Sequence, residues 1–422
     1  MIKKILLQHL QERNLLVSLN YIERLLVEVK ENLLNTDLIK IITGPRRAGK
    51  SVCGFLLLKN KNFAYVNFDD ETLLKNYNED ELIEAIHQVY SGFEYIFFDE
   101  IQNIIGWELL VNKLHRRKYN LVITGSNARL LSKELASSLT GRYIAIEILP
   151  FGFKEICKIK TVSTDNIQTL TPSQRGEILS LAFTYLNSGG FPECVANQAI
   201  QKTYLDALFD SIIYKDVIKR FNIRNTNQIS DLAVYLLSNF TNLFTYNNLC
   251  EELGFKSVTS VQKYIKYLEE PYLFITLSRY SYKTGIQHKT AKKSYVIDNG
   301  FIKARTIEFS PNYGRLLENI ICIELIRRGF RPNIELFYYQ TKNQLEIDFL
   351  IRKNIQTEML IQVCYDISNP KTLKRELNAL FVASCELNVS NLFLITWDIE
   401  QDYSENSTSI KIVPFWKFAL QT

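Results

Sequence analysis

Short apolar runs alternate with amphipathic stretches along the first third of the chain. Five runs of strand length lie near residues 38–42, 63–68, 95–98, 121–123 and 144–148. The stretches between them carry polar turns and apolar residues at helical spacing. Fully buried parallel strands are apolar almost throughout, whereas the helices that cover them are amphipathic. The pattern therefore predicts an α/β fold with a parallel sheet.

The turn after the first apolar run carries a glycine pattern. Gly44 is followed by Gly49, Lys50 and Ser51 at the spacing of a phosphate-binding loop, between a strand-like run and a helical one. Glycines let backbone N–H groups face a phosphate, and the helix start adds its positive end. We expect Lys50 to reach the β- and γ-phosphates and the Ser51 hydroxyl to hold Mg²⁺. The predicted nucleotide-binding residues are Gly44, Pro45, Arg46, Arg47, Ala48, Gly49, Lys50, Ser51 and Val52.

The third apolar run ends in two acids, Asp99 and Glu100. Ligands of open α/β sheets lie at the carboxyl ends of the strands, so we expect Asp99 to face the Mg²⁺ at Ser51. Glu100 is then placed to orient and deprotonate the attacking water. An acidic helix cap after a buried strand is the alternative explanation.

Polar residues after the fourth run and before the fifth supply two further candidates. Asn127, or its neighbour Ser126, is predicted to sense the γ-phosphate, with a plain turn as the alternative. Arg142 is predicted to act as an arginine finger towards a neighbouring subunit in an oligomer. A surface arginine paired to an acid explains Arg142 equally well.

The segments GPRRAGKS, YIFFDE, TGSNA and LTGRY occur in this order and spacing. They resemble the AAA-type ATPases of prokaryotes, in particular the family that joins an N-terminal ATPase module to a C-terminal domain of unknown function with a restriction-endonuclease-like core. The resemblance covers nearly the whole chain and is strongest for the ATPase motifs. It implies ATP and Mg²⁺ as cofactors. The site residues that it matches are Lys50, Ser51, Asp99, Glu100, Asn127 and Arg142.

From residue 231 the pattern changes to short helices with tight turns, which is the layout of a helix-turn-helix, and residues 274–283 fit its hairpin wing. Between Lys256 and Lys293, eight Lys or Arg stand against two acids. Contacts with DNA phosphates and base edges are predicted for one group of polar residues: Lys256, Gln262, Lys263 and Lys266. A protein-contact module with a basic solvated face is the alternative.

The last region contains Glu346 and Asp348, two residues apart on a predicted strand and so on one face. Glu318, Asp348 and Gln362 resemble the metal-binding trio of the restriction-endonuclease-like fold, whose carboxylates hold Mg²⁺ for phosphodiester hydrolysis. Such nucleases usually carry a lysine two residues after the last of these positions, where this chain has Cys364. A nuclease-shaped core used for binding or assembly is therefore at least as well supported. The lysines available to replace the missing one are Lys342, Lys371 and Lys374.

Composition and net charge add little to the predicted fold and function. The 422 residues, 46% hydrophobic and 23% charged, suit a soluble chain of two to four domains. No run approaches the ~18 apolar residues of a membrane span and no signal peptide is visible, so we expect a cytoplasmic protein without membrane contact. Seven scattered cysteines predict neither a disulfide framework nor a zinc site. A net charge of +5 is too small to imply nucleic acid globally.

Four parts are predicted together. They are a P-loop ATPase core (1–155), a helical lid (156–224), a winged-helix-like part (225–293) and an α/β restriction-endonuclease-like domain (294–422). We expect a Mg²⁺-dependent ATPase that couples its nucleotide cycle to nucleic-acid or protein binding. The alternatives are an ATP-dependent nuclease acting on DNA or RNA, and a nucleotide-gated protein-interaction switch that does not cut.

Overall fold

The computed structural model describes residues 1–22, 24, 30–126, 139, 141–164, 167–282, 290–306, 312–354, 356–405 and 408–421. The chain divides into two compact units. The first unit is Met1–Leu149 together with Glu270–Tyr272, and the second unit is Pro150–Glu269 together with Leu273–Thr422. The predicted division into four parts is finer than this and stays a prediction. Within the described residues, no helix is both long enough and apolar enough to cross a bilayer.

A five-stranded parallel sheet forms the centre of the first unit. Its strands are β1 (Ile39–Thr43), β2 (Phe63–Asn67), β3 (Tyr95–Asp99), β4 (Asn120–Gly125) and β5 (Tyr143–Glu147). They lie in the order β2-β3-β4-β1-β5, so β4 separates β1 from β3. Since all five strands run in one direction, the carboxyl ends Thr43, Asp99 and Gly125 meet at one edge of the sheet.

Helices cover both faces of this sheet. The described helices are α1 (Ile2–Ser18), α2 (Lys30–Leu34), α3 (Lys50–Leu58), α4 (Glu71–Lys75), α5 (Glu79–Val89) and α6 (Trp107–Arg116). Successive strand residues point to opposite faces. Ile41 and Phe98 pack with apolar residues of α1, α5 and α6, whereas Ile42 and Phe97 pack with those of α3. Burial on both sides explains why the strands are apolar almost throughout.

Close packing on β3 fixes the position of α3. A Cβ atom at Gly54 would come within 2.3 Å of the Phe97 ring, so only glycine allows this approach. Phe55 meets the same ring edge-on, with the centroids 5.3 Å apart. Phe97 precedes Asp99 by two residues. The contact therefore sets the distance between the start of α3, at Lys50 and Ser51, and the acidic end of β3.

The amino-terminal half of the second unit is mainly helical. Its described helices are α7 (Phe153–Ile159), α8 (Pro172–Ser188), α9 (Pro192–Ala196), α10 (Gln201–Ser211), α11 (Thr226–Ser238), α12 (Tyr246–Glu252) and α13 (Val258–Glu269). A π-helical segment, Ile212–Lys219, continues α10. The strands β6 (Leu243–Phe244), β7 (Phe274–Ser278) and β8 (Lys292–Val296) form an antiparallel sheet in the order β6-β8-β7. The segment from α11 to β8 thus contains three helices and a three-stranded sheet, in the chain order α11, β6, α12, α13, β7, β8.

A six-stranded mixed sheet forms the carboxyl-terminal half of the second unit. Its strands are β9 (Leu336–Gln340), β10 (Glu346–Lys353), β11 (Gln356–Val363), β12 (Leu392–Thr396), β13 (Gln401–Glu405) and β14 (Thr408–Pro414), in the order β13-β14-β12-β11-β10-β9. The accompanying helices are α14 (Asn299–Arg305), α15 (Tyr313–Arg327), α16 (Pro370–Leu387) and α17 (Phe415–Leu420). The predicted α/β class, with a parallel sheet of the P-loop ATPase type and a separate C-terminal α/β region, is confirmed.

Candidate functional site

The loop between β1 and α3 has the backbone shape that its glycines predict. Gly44 and Gly49 have φ angles of 141° and 92°, a region that favours glycine. A Cβ atom at Gly44 would also lie 1.9 Å from the carbonyl oxygen of Ile148. Arg47, which is exposed, has a φ of 66°. The loop therefore curls before α3 begins at Lys50, as a phosphate cradle requires.

The side chain of Lys50 lies between this loop and the acidic end of β3. Its Nζ donates to the carbonyl oxygen of Pro45 at 3.1 Å and lies 3.8 Å from Oε1 of Glu100. An ammonium group held against the loop is placed to meet phosphate oxygens. The other predicted loop residues are buried or half-buried: Pro45, Arg46, Ala48 and Val52.

Asp99 is the centre of a hydrogen-bond network at the end of β3. It accepts from Ser51 Oγ at 2.8 Å, from the Tyr65 hydroxyl at 3.2 Å and from the Thr124 hydroxyl. Burial and then the neighbouring Glu100 charge raise the pKa of Asp99 to about 6, against the lowering effect of these hydrogen bonds. A hydroxyl and a carboxylate this close suit Mg²⁺, which prefers oxygen ligands and completes its shell with phosphates. The residues present thus fit the predicted ion.

Glu100 has a φ of 52°, in the left-handed region that is strained for a residue with a side chain. Its N–H donates to Oγ1 of Thr124 at 2.9 Å, and its carboxylate accepts from the Gln102 amide. That same amide lies 3.3 Å from Oγ of Ser126. The turn therefore holds the Glu100 carboxylate at the strand ends beside Lys50 rather than letting β3 continue.

The sequence prediction missed several residues of this site, among them Tyr65, whose hydroxyl bonds Asp99. Thr124, on β4, bonds both Asp99 and the Glu100 backbone. It is the first residue of the TGSNA segment and directly follows the fourth apolar run, but no role was predicted for it. Arg24 is 5% exposed and donates to the Ala48 carbonyl oxygen. Nothing in its sequence surroundings indicates that it reaches the phosphate loop.

Two further residues were predicted near this edge, Asn127 and Arg142. Asn127 lies outside the described residues. Arg142 is exposed and donates to Oδ1 of Asn112 on α6 at 2.6 Å. Its role as an arginine finger stays a prediction.

The predicted nucleic-acid contacts lie on the solvent side of α13 and just before it. Lys256, Lys263 and Lys266 are exposed and Gln262 is half-buried. Nζ of Lys263 lies 5.6 Å from the centroid of the Tyr267 ring. Two other members of the basic stretch, Lys292 and Lys293, are buried in β8. The sequence count had included them in a basic surface. They do not belong to one, because β8 is buried along its whole length.

The second unit brings the predicted trio of Glu318, Asp348 and Gln362 close together. Oε1 of Gln362 accepts from the backbone N–H of Asp348 at 3.2 Å. A lysine from outside the trio joins them. Nζ of Lys293 lies 2.9 Å from Glu318 Oε1 and 2.9 Å from Asp348 Oδ1, and 2.7 Å from Glu346 Oε1. We call Lys293, Glu318, Glu346 and Asp348 the lysine–carboxylate cluster.

The charges of this cluster act on one another. Burial raises the pKa of Glu318 to about 7, against the lowering effect of Lys293. Burial lowers the pKa of Lys293, but Asp348, Glu318 and Glu346 outweigh it and hold this pKa well above its ordinary value. Lys293 is therefore charged at neutral pH. Across the described ranges, no group of three or more His, Cys, Asp or Glu side chains has the arrangement to hold a metal ion.

The positions around the trio differ from those of the expected nuclease pattern. The thiol of Cys364 contacts the Asp366 carbonyl oxygen at 3.3 Å. The lysines predicted as replacements are exposed: Lys342, Lys371 and Lys374. The positive charge at the trio comes instead from Lys293, which precedes the predicted boundary of this domain by one residue.

Family models match three stretches of the chain. An AAA domain matches residues 36–157, which include the phosphate loop, Asp99 and Glu100. A domain of unknown function, DUF8612, matches residues 180–311, and another, DUF4143, matches residues 313–418.

Two curated proteins resemble the chain over most of its length. An uncharacterized protein of Methanocaldococcus jannaschii is 36% identical, and the match covers 94% of each chain. An uncharacterized protein of Haemophilus influenzae is 33% identical, over 82% of this chain and 86% of that protein.

Similar solved structures are more distant. The Walker-type ATPase PABY2304 of Pyrococcus abyssi is 14% identical over 68% of this chain and 99% of that chain, with a TM-score of 0.48. AMPPCP-bound DnaA from Aquifex aeolicus is 16% identical over 57% of this chain and 85% of that chain, with a TM-score of 0.26.

Proposed function

Because this chain belongs to one family with the proteins of Methanocaldococcus jannaschii and Haemophilus influenzae and carries an AAA-type P-loop ATPase domain, we propose that it binds ATP with Mg²⁺ and hydrolyses it. The observation that carries the proposal is the grouping of Lys50, Ser51, Asp99 and Glu100 at one edge of the parallel sheet. These side chains come from two separate segments, yet Ser51 lies within hydrogen-bond distance of Asp99 and Lys50 within ion-pair distance of Glu100.

Each group has a role in the proposed reaction. The loop N–H groups and Lys50 bind phosphate oxygens, and Ser51 and Asp99 are the residues that would hold Mg²⁺. Bound there, the ion would supply neutralisation of the phosphate charge. Glu100 accepts the proton of the attacking water, and the bonds of Thr124 orient Glu100 and Asp99 relative to each other.

Replacement of Lys50 tests this proposal. We expect Lys50→Ala to lose tight ATP binding and hydrolysis, because the phosphates lose their cationic partner. The matched control is Lys59→Ala, at an exposed lysine just after α3. Binding is measured by titration with ATP, and turnover by phosphate release. Hydrolysis by Lys50→Ala at the wild-type rate would contradict the assigned site.

We further propose that the nucleotide cycle is coupled to DNA binding through α13. The segment from α11 to β8 follows the order of a winged helix, in which such a helix enters the major groove. Its exposed Lys256, Lys263 and Lys266 supply charge for phosphates, and Gln262 supplies an amide for base edges.

Salt dependence tests the proposed DNA contact. Each phosphate contact adds a slope of about −0.9 to the plot of log affinity against log salt. Replacement of Lys256, Lys263 and Lys266 by alanine should therefore weaken duplex binding and reduce that slope by about two to three. The control replaces three exposed lysines elsewhere in the second unit: Lys353, Lys371 and Lys374. An equal loss of duplex affinity in both triple variants would argue against α13 as the DNA-contacting element.

Coupling itself is measured as ATP turnover with and without duplex or single-stranded DNA. We expect duplex DNA to change the turnover of the wild type and to leave that of the α13 triple variant unchanged. If DNA alters both rates equally, the coupling does not run through this surface.

A further inference from the structure

We propose that Lys293 takes the position that a divalent cation would need, so that the lysine–carboxylate cluster is a closed charge clamp rather than a metal centre. The inference concerns the second unit alone and does not depend on ATP hydrolysis. It separates this chain from the restriction-endonuclease-like pattern that its Glu318, Asp348 and Gln362 resemble.

The ammonium group of Lys293 is fully used. It has three N–H donors, and three carboxylate oxygens from Glu318, Glu346 and Asp348 lie between 2.7 and 2.9 Å from it. The side chain is 2% exposed. A lysine with one carboxylate oxygen for each proton stands where a cation between these acids would bind, and a divalent ion would have to displace it.

The other polar atoms of the trio also have protein partners. Oδ2 of Asp348 accepts from the Val363 N–H at 2.9 Å. Nε2 of Gln362 donates to Glu376 Oε2 at 2.8 Å. The Tyr295 hydroxyl donates to the same oxygen of Glu318 that Lys293 contacts, at 2.9 Å. These internal hydrogen bonds help to offset the cost of burying the charges.

The charge of Lys293 also opposes a divalent cation in its immediate surroundings. An ion bound by Asp348 and Glu318 would lie within a few ångströms of the Lys293 ammonium, and the two positive charges would repel each other. Nuclease chemistry needs the opposite arrangement, in which the carboxylates accept the metal and the lysine meets the attacking water. Here the lysine binds the carboxylates themselves.

The clamp joins three elements of the second unit. Lys293 lies on β8, Glu318 on α15, and Glu346 and Asp348 on β10. It therefore ties the small antiparallel sheet to the helix and strand that begin the mixed-sheet region. The ammonium group of Lys293 thus connects β8 to Glu318 and Asp348, which lie 25 and 55 residues further along the chain.

Manganese titration of the nucleotide-free full-length protein tests the clamp. Mn²⁺ is the probe, and bound ion is counted by electron paramagnetic resonance. We expect wild type and Asp348→Asn to bind the same amount, because no ion occupies the cluster in either. Comparison of chains with the same phosphate loop cancels any ion bound there.

Removal of the lysine should then open the site. We expect Lys293→Ala to gain one Mn²⁺ per chain, and Lys293→Ala with Asp348→Asn to lose it again. Lys293→Arg, which keeps the charge, should gain none. If Lys293→Ala does not fold, the wild-type comparison with Asp348→Asn still decides the question.

Two results would overturn the inference. One is a Mn²⁺ ion on the wild type that Asp348→Asn removes. The other is Mg²⁺-dependent nicking of DNA or RNA by the wild type that Asp348→Asn abolishes. Either result would make the cluster a metal site in which Lys293 moves away from the carboxylates.

Discussion

The two units each place a buried lysine among acids, with opposite consequences. In the first unit, Lys50 contacts a backbone carbonyl oxygen at 3.1 Å and one carboxylate oxygen at 3.8 Å. In the second, Lys293 contacts three carboxylates at 2.7 to 2.9 Å. Both sites consist of a lysine and acidic residues. The surrounding backbone therefore determines whether the lysine is available to a ligand or stabilises the fold.

The backbones differ in what surrounds the lysine. Lys50 begins a helix after a glycine loop, so N–H groups and a helix end face the same space as its ammonium. Lys293 lies within a strand whose residues are all buried, and the groups that face it are anionic. The first arrangement attracts phosphate, whereas in the second the lysine is bound by carboxylates of the chain itself.

The largest effect is expected for Glu100→Gln. Glutamine keeps the shape of the side chain but cannot accept a proton from water. General-base catalysis contributes about 10²- to 10⁴-fold, so turnover should fall by that factor while ATP binding persists. Single-turnover hydrolysis and ATP titration measure the two quantities separately. A loss of ATP binding together with hydrolysis would remove Glu100 from the role of base.

Removal of the clamp lysine should mainly affect stability. Lys293→Met leaves buried carboxylates without their cation, which typically costs about 3–5 kcal/mol. Urea unfolding is followed by tryptophan fluorescence in a Trp107→Phe background, where Trp397 and Trp416 report on the second unit. Lys371→Met, at an exposed lysine, is the control.

The same change in the first unit sharpens the contrast. Lys50→Met should abolish ATP turnover with a smaller loss of stability than Lys293→Met, because Lys50 lies 3.8 Å from Glu100, whereas three carboxylate oxygens lie within 2.9 Å of Lys293. Equal destabilisation by the two substitutions would mean that both lysines are structural.

A moderate effect is expected for Thr124→Val. Valine keeps the volume of the side chain but loses the hydroxyl that bonds Asp99 and the Glu100 N–H. A hydrogen bond to a charged group contributes about 1.5–3 kcal/mol, so its loss should lower turnover roughly tenfold or more. Thr72→Val, at an exposed position of α4, is the control. Wild-type turnover in Thr124→Val would show that the bonds do not orient the acids.

The smallest effect concerns pH. Burial and the Glu100 charge raise the pKa of Asp99 to about 6, so protons compete with Mg²⁺ as the pH falls through that value. From pH 7.5 to 5.5 the ionised fraction falls about fourfold, and the Mg²⁺ concentration for half-maximal ATP binding should rise by about that factor. Because ATP also takes up protons in this range, Asp99→Asn serves as the reference. An identical pH dependence in both proteins would contradict the assignment of Asp99 as a ligand.

Most of what could be predicted for the first unit follows from short sequence patterns. The phosphate loop and the Asp99–Glu100 pair each lie in one short segment whose shape follows from its own residues. Thr124 and Arg24 could not be found in this way, because their contacts come from strand order and chain packing. Lys293 shows the same limit more strongly. Its place beside Lys292 suggested a basic surface, whereas the fold brings it to carboxylates on α15 and β10 that are distant in the sequence.

The most direct test of both sites counts the Mn²⁺ ions bound per chain in the presence of a non-hydrolysable ATP analogue. We expect one nucleotide-dependent ion, whose binding Ser51→Ala weakens or abolishes and Asp348→Asn leaves unchanged. An ion that binds without nucleotide and disappears in Asp348→Asn would contradict this expectation. So would saturation with the analogue without any bound ion, since the first unit would then lack the metal site that Ser51 and Asp99 are assigned to form.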